Sequence, residues 1–221
     1  MIEVTYIDHM GTDLTVANAA RVSFDKQSEW DWAEVDGEGN LDVLKQQLSD
    51  PDTKLIQYLA KHKHMSPFGH CFASFHVKAP VFVARQLVKH KFLRWNEISR
   101  RYVDSEPEFY VPDVWRGRSA DKKQGSEGEV KSNANVFYHN THALMTYKQL
   151  LDEGVCPEQS RMVLPQSMMT EWYWSGSLDA FADMCNLRCK PDTQAETRFV
   201  ADSISEEMKK LFPVSWEALL S

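Results

Sequence analysis

Residues 89–102, KHKFLRWNEISRRY, contain five Lys or Arg side chains and one Glu, although the whole chain has a net charge of −7. Such side chains donate hydrogen bonds to phosphate and carbonyl oxygens. Apolar residues such as Phe92 and Trp95 interrupt the charges, and two further cations, Arg161 and Arg188, also lie among apolar neighbours. A buried cation needs a partner, which a bound anion could provide. Two interpretations therefore stay open: a pocket for an anion, and the basic face of a solvated helix.

The residues before this segment predict a helix, PVFVARQLVKHKF, over 80–92, with Pro80 at its first position. The spacing i, i+3 and i+4 would then place Gln86, Lys89 and His90 on one face. Three groups rich in donors at a helix end are suited to binding a phosphate or a carbonyl-rich ring.

Composition excludes several classes of protein. The sequence pI near 5.6 argues against a general nucleic-acid or anionic-membrane binder. No apolar run has the length of a membrane span, and the N-terminal residues lack the layout of a signal peptide, so we expect a cytoplasmic protein without a membrane partner. The four cysteines are expected to be reduced thiols. No metal site is expected, because Cys185 and Cys189 do not form a Cys-x-x-Cys pair.

The first half of the chain alternates between strand and helix patterns. We predict strands at 3–8 and 71–80, the second with Cys71, Ala73, Phe75 and Val77 on one face, and a turn or helix follows the first strand. A further helix is predicted in the first half, at 53–63. The acidic segment 25–53 is predicted to be a solvated loop with a short helix at 41–48.

The second half has fewer interruptions. Helices are predicted at 135–154, 177–188 and 192–212, with Ser177 as the N-cap of the second, and a strand is predicted at 168–176. The polar residues 116–135 indicate a mobile surface loop. Together the patterns predict an α+β fold in a single domain spanning 1–221.

QLVKHKFLRWNEISRRY resembles the signature of flavin-dependent thymidylate synthases, which is usually Arg-His-Arg, seven residues and Ser. In this chain the pattern is Lys89-His90-Lys91, seven residues and Ser99. Other segments resemble that family in the same order: RVSF, HMSPFGHCFASFHVKAPVFVARQ, EFYVP, RMVLP, WYWSGSLDAF and NLR. The resemblance therefore covers most of the chain, apart from the acidic segment and the polar loop.

The resemblance implies a twisted, mainly antiparallel sheet with helices around it, assembled as a homotetramer with active sites between subunits. It implies FAD as cofactor, dUMP and methylenetetrahydrofolate as substrates, and NADPH as reductant of the flavin. The implied reaction is reductive methylation of dUMP to dTMP. Two alternatives remain: a pyrimidine nucleotide hydroxymethylase, in which water completes the transfer, and a non-catalytic nucleic-acid binder using residues 85–102.

The resemblance also implies roles for individual residues. Arg188 would face the uracil ring, Ser99 would belong to the catalytic centre, and His64 would lie near flavin and folate. The residues implied to contact FAD are Ser23, Ser66, Lys89, His90, Lys91, Glu97, Ser177 and Asp183. Those implied to contact the nucleotide are Gln86, Lys89, Glu97, Ile98, Ser99, Arg100, Arg101, Arg161 and Arg188, with Arg161 reaching the phosphate from another subunit.

Several positions depart from the family pattern. Lysines replace arginines on both sides of His90, and Asp183 and Ser177 stand where Asn is common. Asp192 stands where His is frequent, and Gly69 replaces a usual Glu. Because a lysine offers a flexible point charge instead of a planar fork, we expect FAD binding to be weaker than is usual for the family.

Overall fold

A four-stranded antiparallel sheet forms the centre of the computed structural model, which describes residues 1–35, 43–103, 105–121 and 125–221. Its strands, in the order β1-β4-β8-β5 across the sheet, are β1 (Glu3–Met10), β4 (Phe72–Pro80), β8 (Met169–Ser177) and β5 (Leu93–Glu97). Each neighbouring pair is antiparallel. The α+β class and the antiparallel sheet predicted from the sequence are thereby confirmed.

The second strand of this sheet confirms the predicted alternation. Cys71, Ala73, Phe75 and Val77 are buried, whereas the side chains between them are partly or fully exposed. On β8, the side chain of Trp174 lies opposite Phe75 and is also buried. A period of two with one apolar face is what a strand covered on one side requires.

Helices pack against the buried face of the sheet or lie beside it. They are α1 (Asp13–Arg21), α2 (Asp50–Lys61), α3 (Val81–Leu87), α4 (Val136–Asp152), α5 (Pro157–Ser160), α6 (Leu178–Arg188), α7 (Ala195–Leu211) and α8 (Pro213–Leu220), with 3-10 turns at Val22–Phe24, Ser66–His70 and Arg161–Val163. Fully buried side chains from three of them, Phe181, Ile204 and Trp216, join the core. The buried carboxylate of Asp13 accepts the backbone N–H groups of Val214 and Ser215, which fastens the start of α8 to α1.

The helix predicted over 80–92 is shorter than expected. It ends at Leu87, whose side chain is fully buried, and a tight turn follows in which His90 N–H donates to Leu87 C=O over 3.1 Å. Phe92 then adopts a left-handed φ of 63°. Lys89 and His90 therefore do not share a helical face with Gln86, and the chain turns into β5 instead.

One further local prediction was wrong, and another missed a pair of strands. The helix predicted at 41–48 is a strand over its described part, β3 (Val43–Gln47), which pairs with β2 (Asp31–Val35); residues 41 and 42 lie outside the described residues. Residues 116–135, predicted to be a mobile loop, contribute to a hairpin of β6 (Trp115–Arg118) and β7 (Ser126–Val130), apart from 122–124, which are not described. Backbone pairing needs no apolar side chains, so the polar composition concealed the hairpin of β6 and β7.

Ser177 occupies the N-cap position of α6, as predicted. Its side chain forms no capping hydrogen bond, however. Instead, Leu178 N–H donates to Cys71 C=O over 2.8 Å, so that a neighbouring backbone carbonyl accepts the first donor of the helix. The expected side-chain cap is therefore wrong in its chemistry but right in its position.

Candidate functional site

Arg188 and His90 meet at the point where α6 ends and the turn after α3 begins. Arg188 Nε donates to His90 Nε2 over 3.0 Å, and its second guanidinium nitrogen reaches the carbonyl oxygen of Gln86 over 3.5 Å. The two bonds join residues about a hundred positions apart in sequence. They bring the side chains of Arg188 and His90 and the backbone carbonyl of Gln86, three residues of the predicted set, together.

The electrostatics of this pair keep His90 neutral. Burial and the adjacent positive charge of Arg188 lower the pKa of His90 from 6.5 to about 4. Burial also lowers the pKa of Arg188, although an arginine remains cationic at neutral pH. A half-buried guanidinium interacts more strongly with charge on a ligand than one in bulk water does.

A cavity of about 360 Å³ lies beside β5 and the 3-10 turn at Arg161–Val163. It contains Glu97, Ile98, Arg100 and Arg161 from the predicted nucleotide-binding set, and it adds Arg85 from α3. Three guanidinium groups give this cavity the donors that a phosphate requires. In the described part of the chain, the buried Nε of Arg100 has no hydrogen-bond partner, so this donor is available to a ligand.

Glu97 is held in place on the wall of this cavity. One of its carboxylate oxygens accepts from Thr170 Oγ1 over 2.6 Å, and the other accepts from Trp95 Nε1 over 3.0 Å. Ser99 lies in the turn that follows, where its hydroxyl oxygen accepts from Arg101 N–H at 3.4 Å and from Arg101 Nε at 3.3 Å. These bonds hold Ser99 and Arg101 together beside the cavity, but neither residue lines it.

A second cavity, of about 590 Å³, lies between α1, α2 and the 3-10 turn at Ser66–His70. It contains Ser23, His64 and Ser66, the predicted cofactor-binding and folate-proximal residues of the N-terminal half. Tyr58 also lines it, with its ring stacked near that of His64 at 6.1 Å between centroids. Arg21, another lining residue, is fixed by Asp52, whose carboxylate it contacts at 2.6 Å.

The remaining predicted residues stay apart from these groups. Lys89 and Lys91 are exposed on the turn that carries His90, and Asp183 is exposed on α6. The cavity that contains His64 has neither Ser99 nor Arg188 in its lining. One chain therefore presents the predicted residues in three separate groups: the Arg188 pair, the arginine cavity and the serine-histidine cavity.

Sequence reasoning missed a polar network behind Gln86. Its amide nitrogen donates to Gln194 Oε1, and Gln194 Nε2 donates to Glu196 Oε2 over 3.1 Å. Arg116 and the buried Glu196 form an ion pair. The sequence signal for this network was Glu196, in TQAETRF, near the start of a predicted amphipathic helix. A carboxylate that is buried there needs hydrogen-bond partners.

The donor chemistry of the second cavity fits a diphosphate-bearing cofactor such as FAD. Hydroxyl groups from Ser23 and Ser66 and cations from Arg21 and Lys26 lie around one space, next to the rings of Tyr58 and His64. Hydroxyls and cations bind phosphate oxygens, and aromatic faces pack against a flat ring system.

The described residues lack two kinds of feature. None of the described helices is long and apolar enough to cross a membrane. Within the same residues, there is no group of three or more His, Cys, Asp or Glu side chains with a geometry suited to a metal ion.

Comparison with known proteins gives concordant matches. A family model described as thymidylate synthase complementing protein matches residues 5–214. A flavin-dependent thymidylate synthase of Thermus thermophilus is 38% identical over 218 residues, covering 97% of this chain and 74% of that protein. The enzyme of the same name from Kosmotoga olearia is 36% identical over 226 residues, covering 99% and 90% respectively.

A solved structure matches the fold over nearly the whole chain. The UMP/dUMP methylase PolB from Streptomyces cacaoi, bound with 5-Br dUMP, superposes with a TM-score of 0.81 at 30% identity, covering 99% of this chain and 94% of that one. The extent of the family match and the identity to its members, together with the grouped signature residues, lead to one conclusion: the chain belongs to the family of flavin-dependent thymidylate synthases.

Proposed function

We propose that this protein is a flavin-dependent thymidylate synthase, which converts dUMP to dTMP with methylenetetrahydrofolate as carbon donor. The observation that carries the proposal is the arginine cavity, in which Arg85, Arg100 and Arg161 surround the fixed carboxylate of Glu97. The family membership and the relatives' names support the same activity.

In this proposal the arginine cavity binds the nucleotide phosphate. Arg161 and Arg100 supply charge-assisted hydrogen bonds to its oxygens, and the Nε of Arg100, which has no partner among the described residues, gains one. The carboxylate of Glu97 accepts a hydroxyl or ring N–H of the nucleotide, since a carboxylate oxygen with one protein donor still has acceptor capacity.

Arg188 acts on the pyrimidine ring. Its guanidinium, desolvated on one side and held by neutral His90, stabilises negative charge that develops on the uracil carbonyls while carbon 5 attacks the methylene donor. FAD would be held by Ser23, Ser66 and the turn at Lys89–Lys91, and in its reduced form supplies the hydride that completes the methyl group.

Three further features belong to the proposal. NADPH is the expected reductant of the flavin, the assembly is a homotetramer with active sites between subunits, and the working location is the cytoplasm. A shared site would bring together groups that one chain presents separately, such as the arginine cavity and the serine-histidine cavity.

The direct test supplies purified protein with FAD, NADPH, dUMP and methylenetetrahydrofolate and measures the nucleotide product by mass. We expect dTMP, together with bleaching of the flavin absorbance by NADPH. A product heavier than dTMP by one oxygen would indicate hydroxymethyl transfer, and no modified nucleotide under conditions that reduce the flavin would overturn the proposal.

Arg188→Ala separates chemistry from cofactor binding. We expect turnover to fall at least a hundredfold, because one preorganised charge at a reacting centre contributes on the order of 2.7–4 kcal/mol. Flavin content should remain that of the native protein, as measured by absorbance after denaturation. Lys209→Ala, at an exposed position on α7, is the control. Native turnover in Arg188→Ala would remove Arg188 from the mechanism.

A further inference from the structure

The network behind Gln86 ends at a buried charge. Glu196 is 8% exposed and lies in the first turn of α7. Its two carboxylate oxygens have different partners: Oε1 accepts from Arg116 and from the Tyr110 hydroxyl at 3.4 Å, whereas Oε2 accepts from Gln194 Nε2 at 3.1 Å. Each of these contacts brings a donor to the carboxylate.

The charge of Glu196 decides the orientation of the next amide. A carboxylate accepts hydrogen bonds only, so Gln194 must turn its Nε2 toward Glu196 and its Oε1 away. Gln194 Oε1 then accepts from Gln86 Nε2. If Gln194 were rotated by half a turn, an oxygen would face the carboxylate and two NH2 groups would face each other.

The same constraint reaches Gln86. Gln86 Nε2 donates to Gln194, so Gln86 Oε1 is the end that is available to a ligand. Among the residues that the structure describes, Gln86 Oε1 has no hydrogen-bond partner. The backbone oxygen of Gln86 accepts from Arg188 at 3.5 Å, so this residue lies directly beside the guanidinium assigned to the pyrimidine.

We propose that Glu196 is a positioning residue for the nucleotide: through Gln194 it fixes the Gln86 amide so that Gln86 Oε1 accepts a hydrogen bond from bound dUMP. This inference rests on the proposed function, which places the nucleotide beside Arg188. The ion pair with Arg116 places a compensating positive charge beside the buried carboxylate.

The experiment measures dUMP affinity by calorimetry on the FAD-loaded protein. Glu196→Gln keeps the shape but removes the charge, so that both amide orientations of Gln194 become accessible; we expect affinity to fall about tenfold, as for loss of one oriented hydrogen bond. Glu206→Gln removes one charge from an exposed position of the same helix and should leave affinity within twofold.

A double substitution separates positioning from general damage. In a Gln86→Ala background, Glu196→Gln should have no further effect on affinity, because the amide that it orients is absent. An equal additional loss in that background would show a merely structural role and overturn the inference. If Glu196→Gln is insoluble, Gln194→Met breaks the same relay, and the same comparison with Gln86→Ala applies.

The outcomes distinguish the two proposals. Tight dUMP binding by the native protein with unchanged affinity in Glu196→Gln would overturn the relay alone. Absence of dUMP binding by the native protein would overturn the proposed function and the relay with it.

Discussion

Lysine at two positions where relatives usually have arginine changes the chemistry of the turn that carries His90. Lys89 and Lys91 are both exposed, whereas His90 between them is half-buried and bonded to Arg188. An ammonium group can approach a phosphate from many directions, but it cannot form the paired, planar hydrogen bonds of a guanidinium. A lysine side chain also loses more conformational entropy for each hydrogen bond that it forms than an arginine side chain does.

Restoring arginine at both positions should therefore tighten FAD binding. We expect the native protein to be purified with less than one FAD per chain, and Lys89→Arg with Lys91→Arg to lower the Kd for FAD about fivefold, or roughly 1 kcal/mol. Titration of flavin fluorescence measures both. Lys131→Arg with Lys209→Arg, two exposed positions elsewhere, is the matched control. Stoichiometric flavin in the native protein would contradict the expectation.

His90 should make stability depend on pH in a defined window. Its pKa is about 4 in the folded protein and near 6.5 when unperturbed, so between these values the unfolded chain binds more protons. Stability therefore falls as the pH drops from 6.5 toward 4. We expect the Tm to decline across this window and to decline less in His90→Asn. His139→Asn, at an exposed site on α4, should follow the native curve; parallel curves for all three proteins would refute the assignment.

At the scale of elements, β8 and β5 approach closely at Gly176, where an added methyl group would require Leu93 to shift. A Cβ added to Gly176 would lie 2.4 Å from Leu93 Cδ2 and 3.2 Å from the carbonyl oxygen of Phe92. Gly176 pairs with Leu93 at the first residue of β5, the strand that ends in Glu97. The small residue therefore sets the position of the strand that carries the cavity wall.

Gly176→Ala should displace β5. We expect a loss of about 1–3 kcal/mol in the free energy of unfolding, the usual cost of overpacking, and weaker dUMP binding because Glu97 moves with the strand. Denaturant titration and calorimetry provide the two readings. Gly69→Ala is the control for stability, since its added Cβ would meet no atom within 4 Å. Equal stability of the two variants would show that β5 adjusts without cost.

Strands and helices were predicted correctly from the sequence where buried side chains recur at a regular spacing. The strand at Phe72–Pro80 was readable because every second side chain enters the core. The segment LDVLKQQL was misread because its leucines have helical spacing, whereas its described part is held by backbone pairing with β2. Contacts such as that of Arg188 with His90 join residues 98 positions apart. No local pattern encodes that proximity; only the resemblance placed both in one site.

At the scale of the whole molecule, one side of α4 is unusually apolar for a surface. Phe137 is 77% exposed, Tyr138 59% and Met145 60%. Phe137 and Met145 lie on one helix face with the polar Thr141 between them, and large exposed apolar side chains mark interaction sites. This face is suited to burial between copies of the chain.

A charge on that face should disrupt the proposed assembly. We expect the native protein to have a mass four times that of the 25.5 kDa chain, measured by light scattering during gel filtration. Met145→Glu should produce smaller species and lose turnover, because the active sites are proposed to be shared. Lys209→Glu, on the exposed end of α7, should remain a tetramer. A tetrameric Met145→Glu would exclude this face as an essential contact.

The left-handed turn at Phe92 gives the spacing of the signature a structural meaning. Lys89 to Lys91 precede it and Glu97 follows on β5, where Trp95 and Glu97 share a face and are hydrogen-bonded to each other. Since side chains alternate along a strand, one residue inserted between Lys91 and Glu97 would turn Glu97 to the opposite face and away from Thr170. The seven residues between Lys91 and Ser99 therefore set which face of β5 each side chain occupies. An odd change in length would invert those faces and separate the proposed cofactor-binding lysines from the proposed nucleotide-binding residues.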